Sequence, residues 1–409
     1  MDNSTPTQTP TPVPPPQSKP PSKPTRKPSK KSGFKKRDIV ILISIVVFIA
    51  LAVTLFVLVL SNRPDTTPEQ DLPSSESPAQ TAVTPPPVTE FLPEDIVEGG
   101  PTNPLTGQPM DVTKTRNRPL AIVLANTKAA LPMNGISDAD IVYEILVEGG
   151  ITRMLALYQD IADMGKVGSI RSARQYTVEL AESYDAILIS AGASPQALRE
   201  VRDLQIPHLN EVEGPHREIF FRDRNRIPGR RVESLHSVTT SGERVMEFLP
   251  DEYDFRKFHE DGYEQGLSFT DDATPQNGSN AVEVDVKFSH GKTTSFIYEI
   301  DKSGYRVNQF DMDLIDANDN SVPAFTNVLV LKTNVAPIPG DDSNRLNIIT
   351  IGEGEGYFIN GGKYVDIKWT RLDKSFPFIY TLADGSALDL GVGKTFICVI
   401  PTNLDATFK

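Results

Sequence analysis

The sequence has one cysteine, Cys398, so no intramolecular disulfide can form and the folded part must hold together by burial. That cysteine sits in the apolar run Thr395-Phe-Ile-Cys-Val-Ile400, a setting for a small core residue rather than a nucleophile. Without thiolate ligands, zinc would have to rely on the five histidines, His208, His216, His236, His259 and His290, and no two of them have HExxH spacing. A Gly-x-Ser-x-Gly elbow is missing too. The acidic run 311–320 fails the calcium-loop register. With Asp316 at position one, Ser321 stands where glycine belongs and Asn327 where glutamate belongs, so a solvated hairpin turn is the better account. Gly352-Glu-Gly-Glu-Gly356 is followed by a strand pattern, not a helix, which excludes a dinucleotide loop. Neither a cofactor nor a metal is expected.

Apolar residues are nearly absent from 2–37, which is Pro, Ser, Thr and Lys. Such a stretch cannot offset the entropy of ordering it, and residues 1–38 are expected to be disordered. Nine basic residues there face only Asp2 and Asp38. Residues 39–60 lack charge, proline and glycine altogether, and these 22 residues suffice for one helical span. The run is longer than a signal-peptide core and ends at Ser61-Asn62-Arg63 without a small-residue cleavage site, so it reads as an uncleaved single-pass anchor. The basic excess places the N-terminus in the cytoplasm and the rest outside. Net charge is −13; setting aside the tail's +7 leaves −20 on the exported part, which argues against nucleic acid or anionic lipid there. The tail could bind nucleic acid itself, although a Lys/Pro mixture without aromatics supports the topogenic role better. Residues 61–103 form a polar Pro/Thr/Ser stalk.

Folded sequence begins near Asn103. Apolar runs at 120–125, 141–148, 154–159 and 186–190 read as strands, and Gly149-Gly150 signals a hairpin between the second and third. Helix starts are marked by Ser172-Ala-Arg-Gln175, Ser194-Pro195 and Thr240-Ser-Gly-Glu243. Strands and helices intermix without a strict βαβ rhythm, so residues 104–250 are expected to form a layered α/β domain. After a polar junction at 251–280, residues 281–409 show strand patterns, a hairpin turn at Asn360-Gly361-Gly362 and no long amphipathic helix. The fold class is α+β, with a mostly-β second domain.

The run Ser137-Asp-Ala-Asp-Ile-Val-Tyr-Glu-Ile-Leu-Val-Glu-Gly-Gly-Ile-Thr-Arg153, followed by Val167-Gly-Ser-Ile-Arg-Ser-Ala-Arg174, resembles the YerB-like family of bacterial envelope proteins. Asn103-Pro-Leu-Thr-Gly107, Ala191-Gly-Ala-Ser-Pro-Gln196 and Gly356-Tyr-Phe-Ile-Asn-Gly-Gly-Lys-Tyr-Val-Asp-Ile-Lys-Trp369 fit it as well, so the resemblance covers residues 103 to 401. It implies two domains, both of unknown function, in a ββα-type layered architecture, and it carries over no catalytic residue. Family members are usually lipoproteins held by an acylated cysteine. This chain has no cysteine near its apolar run, so a different anchor is implied.

Arginine is the informative residue. Arg171 and Arg174 bracket a helix start, Arg153 lies at the end of a strand hairpin, and six more fall between residues 217 and 231 without an intervening lysine: Arg217, Arg222, Arg224, Arg226, Arg230 and Arg231. Guanidinium forks hold carboxylate and phosphate in fixed geometry. Glu144 and Glu148, spaced for one strand face, need partners if buried, and Arg153, Arg171 or Arg174 could supply them. Two uses of the arginines therefore stay open: a structural ion pair, and an anion site in which Arg174 acts with Arg222, Arg224 or Arg226. The reading favoured is a non-catalytic, membrane-tethered binding or scaffold protein of the envelope. Its partner would be an anionic small molecule, a wall polymer or an envelope protein. The alternative is a hydrolase or transferase using Glu144 or Glu148 with His236, whose neighbours Ser234 and Ser237 also raise a Ser–His pair.

Overall fold

The computed structural model describes residues 100–250 and 255–409. The expected tail, the 39–60 span and nearly all of the stalk lie outside the described residues. Among those described, no helix is long and apolar enough to cross a membrane. The fold is mixed α/β, with many strands and few helices.

Three strands open the fold: β1 (Leu120–Asn126), β2 (Ile141–Leu146) and β3 (Thr152–Tyr158), each buried along its whole length. Strands covered on both faces read as continuous apolar runs, as these do. β2 and β3 form the expected hairpin, pairing Ile141 with Leu157. β2 ends at Leu146, earlier than the apolar run suggested, because Glu148–Gly150 tighten into a 3-10 turn in which Gly149 and Gly150 have φ of 76° and 71°. Only glycine takes that conformation freely. The early stop removes Glu148 from the face that carries Glu144.

Helix α1 (Gln175–Glu182) starts later than Ser172 implied. The Ser172 hydroxyl donates instead to the Ala191 carbonyl at 2.8 Å, and the Arg174 N–H donates to Thr177 Oγ1 at 2.9 Å, so Arg174 itself is the N-cap. β4 (Ile187–Ser190), α2 (Pro195–Leu204) and β5 (His208–Asn210) form a parallel βαβ unit beside β1. The Ser194 cap of α2 is as expected, its Oγ accepting from the Ala197 N–H at 3.1 Å. α3 (Gly242–Phe248) is capped by Ser241, one residue after the expected Thr240, whose hydroxyl donates to the Ile219 carbonyl.

The C-terminal half supplies β6 (Asn327–Thr333), β7 (Gly352–Asn360), β8 (Lys363–Arg371) and β9 (Thr395–Pro401). It is mostly β, as expected, and its main strands continue the first sheet. The order is β8-β7-β6-β9-β2-β3-β1-β4-β5, with short strands outside β8 completing an eleven-stranded sheet. β9 runs parallel to β6 on one edge and β2 on the other, placing Cys398 between Val330 and Glu144. β2 and β9 are buried along nearly their whole length, and each covers one edge of the other. A six-stranded antiparallel sheet, including Glu283–Ser289, Lys292–Glu299 and Gly304–Gln309, packs against this one. Phe296 and Phe325 both meet Phe396 edge-on at 5.1 Å.

The 311–320 turn is not simply solvated. Asp311 and Asp319 are exposed, but Asp316 is buried and accepts the N–H groups of Gly135, Ser137 and Asn318 at 2.9–3.0 Å. Those bonds fasten the turn to the loop before β2.

Candidate functional site

Glu144 is fully buried at the centre of β2. Its carboxylate accepts from Asn126 Nδ2 at 2.8 Å, Thr152 Oγ1 at 2.7 Å and Thr294 Oγ1 at 2.8 Å, and its counter-ion is Lys292 at 3.0 Å. Among the described residues no arginine reaches it, contrary to the expected pairing. Lys292 completes its own shell with Thr294 Oγ1 and Gln309 Oε1 at 2.7 and 2.6 Å. A carboxylate enclosed in this way has no route to a substrate. Glu144 is therefore a cross-sheet fastening rather than an acid or base.

Glu148, by contrast, is held by arginine. Arg174 grips it with Nε at 3.0 Å and with Nη2, and Arg153 approaches to 3.6 Å. Burial is the strongest single influence on the Glu148 carboxyl and raises it, but the Arg174 bonds, a backbone bond and the charges of Arg174 and Arg153 together keep it below its usual range. Arg153 donates to the Ser172 carbonyl; burial first, and then repulsion from Arg174, pull its pKa down to about 9, which leaves it charged at neutral pH. Arg174 is thus committed to the chain's own carboxylate. The expected helpers do not join it. Arg226 is buried and directed at carbonyls of Ala130, Pro132 and His236 and at Asn134 Oδ1, while Arg224 donates to the Val232 carbonyl. This part of the arginine run laces loops together.

Arg171 behaves differently. It lines a cleft of about 500 Å³ together with Arg222, Glu211, Glu233 and Ser234. Ala191 and Glu211, also in the lining, directly follow β4 and β5, so the cleft opens at the carboxyl ends of parallel strands, where open α/β sheets take their ligands. Arg222 is neutralised by a two-pronged pair with Glu211, both bonds at 3.0 Å. Arg171 donates to the Leu235 carbonyl at 2.8 Å, and among the described residues no carboxylate oxygen lies within 4.0 Å of it. Burial, then the charge of Arg174, shifts its pKa downward, a sign that its charge is under-compensated.

His236 is buried with Nδ1 unpartnered, and burial together with Arg171 and Arg226 lowers its pKa, favouring the neutral ring. Among the described residues it bonds to neither Glu144 nor Glu148, and the Ser237 hydroxyl donates to the Ser234 carbonyl instead. The expected grouping of these three residues is not formed. The serine–histidine contact present is Ser190 Oγ to His208 Nε2 at 2.7 Å, which sequence reading missed. Ser190 is fully buried and its hydroxyl also lies 2.8 Å from the Gly192 carbonyl, so this contact is closed to substrate. Glu211, Glu233, Val212 and Leu235 were also missed. They converge from separate loops, and no local spacing marks them.

The model of the DUF3048 N-terminal domain, a protein family of unknown function, matches residues 105–252, and that of the DUF3048 C-terminal domain matches residues 284–397. The YerB protein of Bacillus subtilis (strain 168), named as a lipoprotein, is 29% identical over 307 residues, spanning 74% of this chain and 87% of YerB. The crystal structure of the YerB protein from Bacillus subtilis aligns with a TM-score of 0.63 at 25% identity, covering 75% of this chain and 99% of that one.

Proposed function

Because the chain belongs to the DUF3048 family, whose motifs its sequence carries, we propose that it is an envelope-associated binding protein that seats an anion on Arg171. The lipoprotein naming of YerB supports an extracytoplasmic place at the membrane, and the 39–60 apolar run supports anchoring through a span. One observation carries the anion: Arg171 lies in an open cleft at the strand ends, with a carbonyl and, among the described residues, no carboxylate for partner. A guanidinium so placed has donors to spare for carboxylate or phosphate. Glu144, Glu148 and His236 are dispersed, which gives no support to a hydrolase or transferase.

The test is a melting series of the full-length protein with phosphate or citrate at fixed ionic strength. A ligand at a hundred times its Kd stabilises the state that binds it by about 2.7 kcal/mol. Wild type should shift upward and Arg171→Ala should not; equal shifts in both would overturn the reading.

A further inference from the structure

We propose that the occupant of the Arg171 cleft is the C-terminal end of a peptide finishing in an aliphatic residue, an inference that rests on the anion reading above. The cleft is not uniformly polar. Val212 and Leu235 line it and remain 51% and 45% exposed, large apolar side chains standing beside a cation. Ile170 and Val238, both buried, lie behind them. Leu235 serves twice: its carbonyl holds one arm of the Arg171 fork, and its side chain offers aliphatic surface. A ligand meeting both features must carry its anion within about one residue of an aliphatic group. A chain-terminal carboxylate on Val, Leu or Ile has that arrangement.

Charge narrows the source. Arg222 and Glu211 cancel, so among the described residues Arg171 and Glu233 are the charges of the cleft left without an ion partner. Glu233 complements a basic group further back along a peptide. It repels an anionic membrane surface, as does the charge of −20 outside the basic tail. A phosphate-rich polymer without apolar groups would leave Val212 and Leu235 in water.

The experiment is titration of the full-length protein with acetyl-Lys-Ala-Val as free acid, its C-terminal amide, acetyl-Lys-Ala-Gly and inorganic phosphate. The free acid should bind, and the amide and the Gly peptide should each bind about tenfold more weakly or worse, since each loses one recognised group. Leu235→Ser and Val212→Ser, both at exposed positions, should reduce the preference for Val over Gly and leave the phosphate response intact. Arg171→Gln should abolish both peptide and phosphate binding. Equal affinity for the Val and Gly peptides, or for acid and amide, overturns the peptide proposal while an Arg171-dependent phosphate response preserves the anion reading. Loss of any Arg171-dependent response overturns the anion reading itself. Phosphatidylglycerol-vesicle binding that falls in Arg171→Gln relative to wild type, with no response to the acid peptide, would assign the cleft to lipid and also overturn the peptide proposal.

Discussion

Lys292 and Arg174 each neutralise one carboxylate, yet their removal should cost very different amounts. Glu144 is fully buried, so Lys292→Ala strands a charge with no water to reach, a change that costs about 3–5 kcal/mol. The Glu148 side chain keeps 29% exposure and has Arg153 nearby, so Arg174→Ala should cost nearer 2 kcal/mol, the worth of charged hydrogen bonds partly replaced. Denaturant midpoints of the two variants check the order, and a costlier Arg174 change would show that Glu148 is the more enclosed acid. Cys398 is fully buried, and burial pushes its thiol pKa well up. Cys398→Ala should cost about 1 kcal/mol or more through lost packing. A bulky thiol reagent should label the native protein only as fast as it unfolds. Residue by residue, the legible part was the need: a glutamate in an apolar run demands a cation. For Glu148, Arg174 is one of several partners left open, and the expectation for Arg174 leans to an external anion instead. Lys292 is not among them, because it sits on the opposing sheet and shows itself only as the inward member of the alternating Lys292, Thr294, Phe296 series. Arg226 satisfying carbonyls instead of an acid leaves no sequence trace at all.

Among the elements, the segment from residue 255 onward is tied to the first half in large part through Asp185, beside bonds from Arg116 and Arg118. Asp185 accepts two bonds from Arg256 at 2.7 Å, pairs with Arg118 at 2.9 Å and meets His259 Nδ1 at 2.9 Å. Burial raises the carboxyl, but the bonds from His259 and Arg256 and the charge of Arg118 prevail and hold it at about 2. An acid group bound more weakly to its proton in the folded state stabilises above its unfolded pKa of about 3.9, and that contribution disappears as pH falls towards 2. The contribution at neutral pH is about 2 kcal/mol. Asp185→Asn, which tolerates the residue's φ of 46°, should therefore melt below wild type at pH 6, and the two should converge near pH 2. A constant gap across that range would show that the carboxylate charge is not what matters. Element identities were readable because the strands are long apolar runs and Ser194-Pro195 is a strong helix start. Their ends were less so, since the Ser172 and Thr240 hydroxyls found carbonyl partners elsewhere in the fold.

At the scale of the molecule, strand pairing was the part hidden from the sequence, because an apolar run names no neighbour. The C-terminal pattern reads as a mostly-β second domain, and it does not show that β9 lies between β2 and β6 in a single sheet. We expect calorimetry to show one cooperative transition for the described fold, with two resolved transitions counting against it. A chain ending at residue 394 should lose native structure in both halves, seen as loss of near-ultraviolet dichroism. The same placement has a consequence for biosynthesis. The chain emerges N-terminus first, so β2 is made long before its permanent neighbour, residues 395–401. Until residues 395–401 arrive, β2 presents an unpaired apolar edge, the kind that pairs with foreign strands. The middle of the sheet is finished last, and the nascent first half depends on being kept apart from other chains until then.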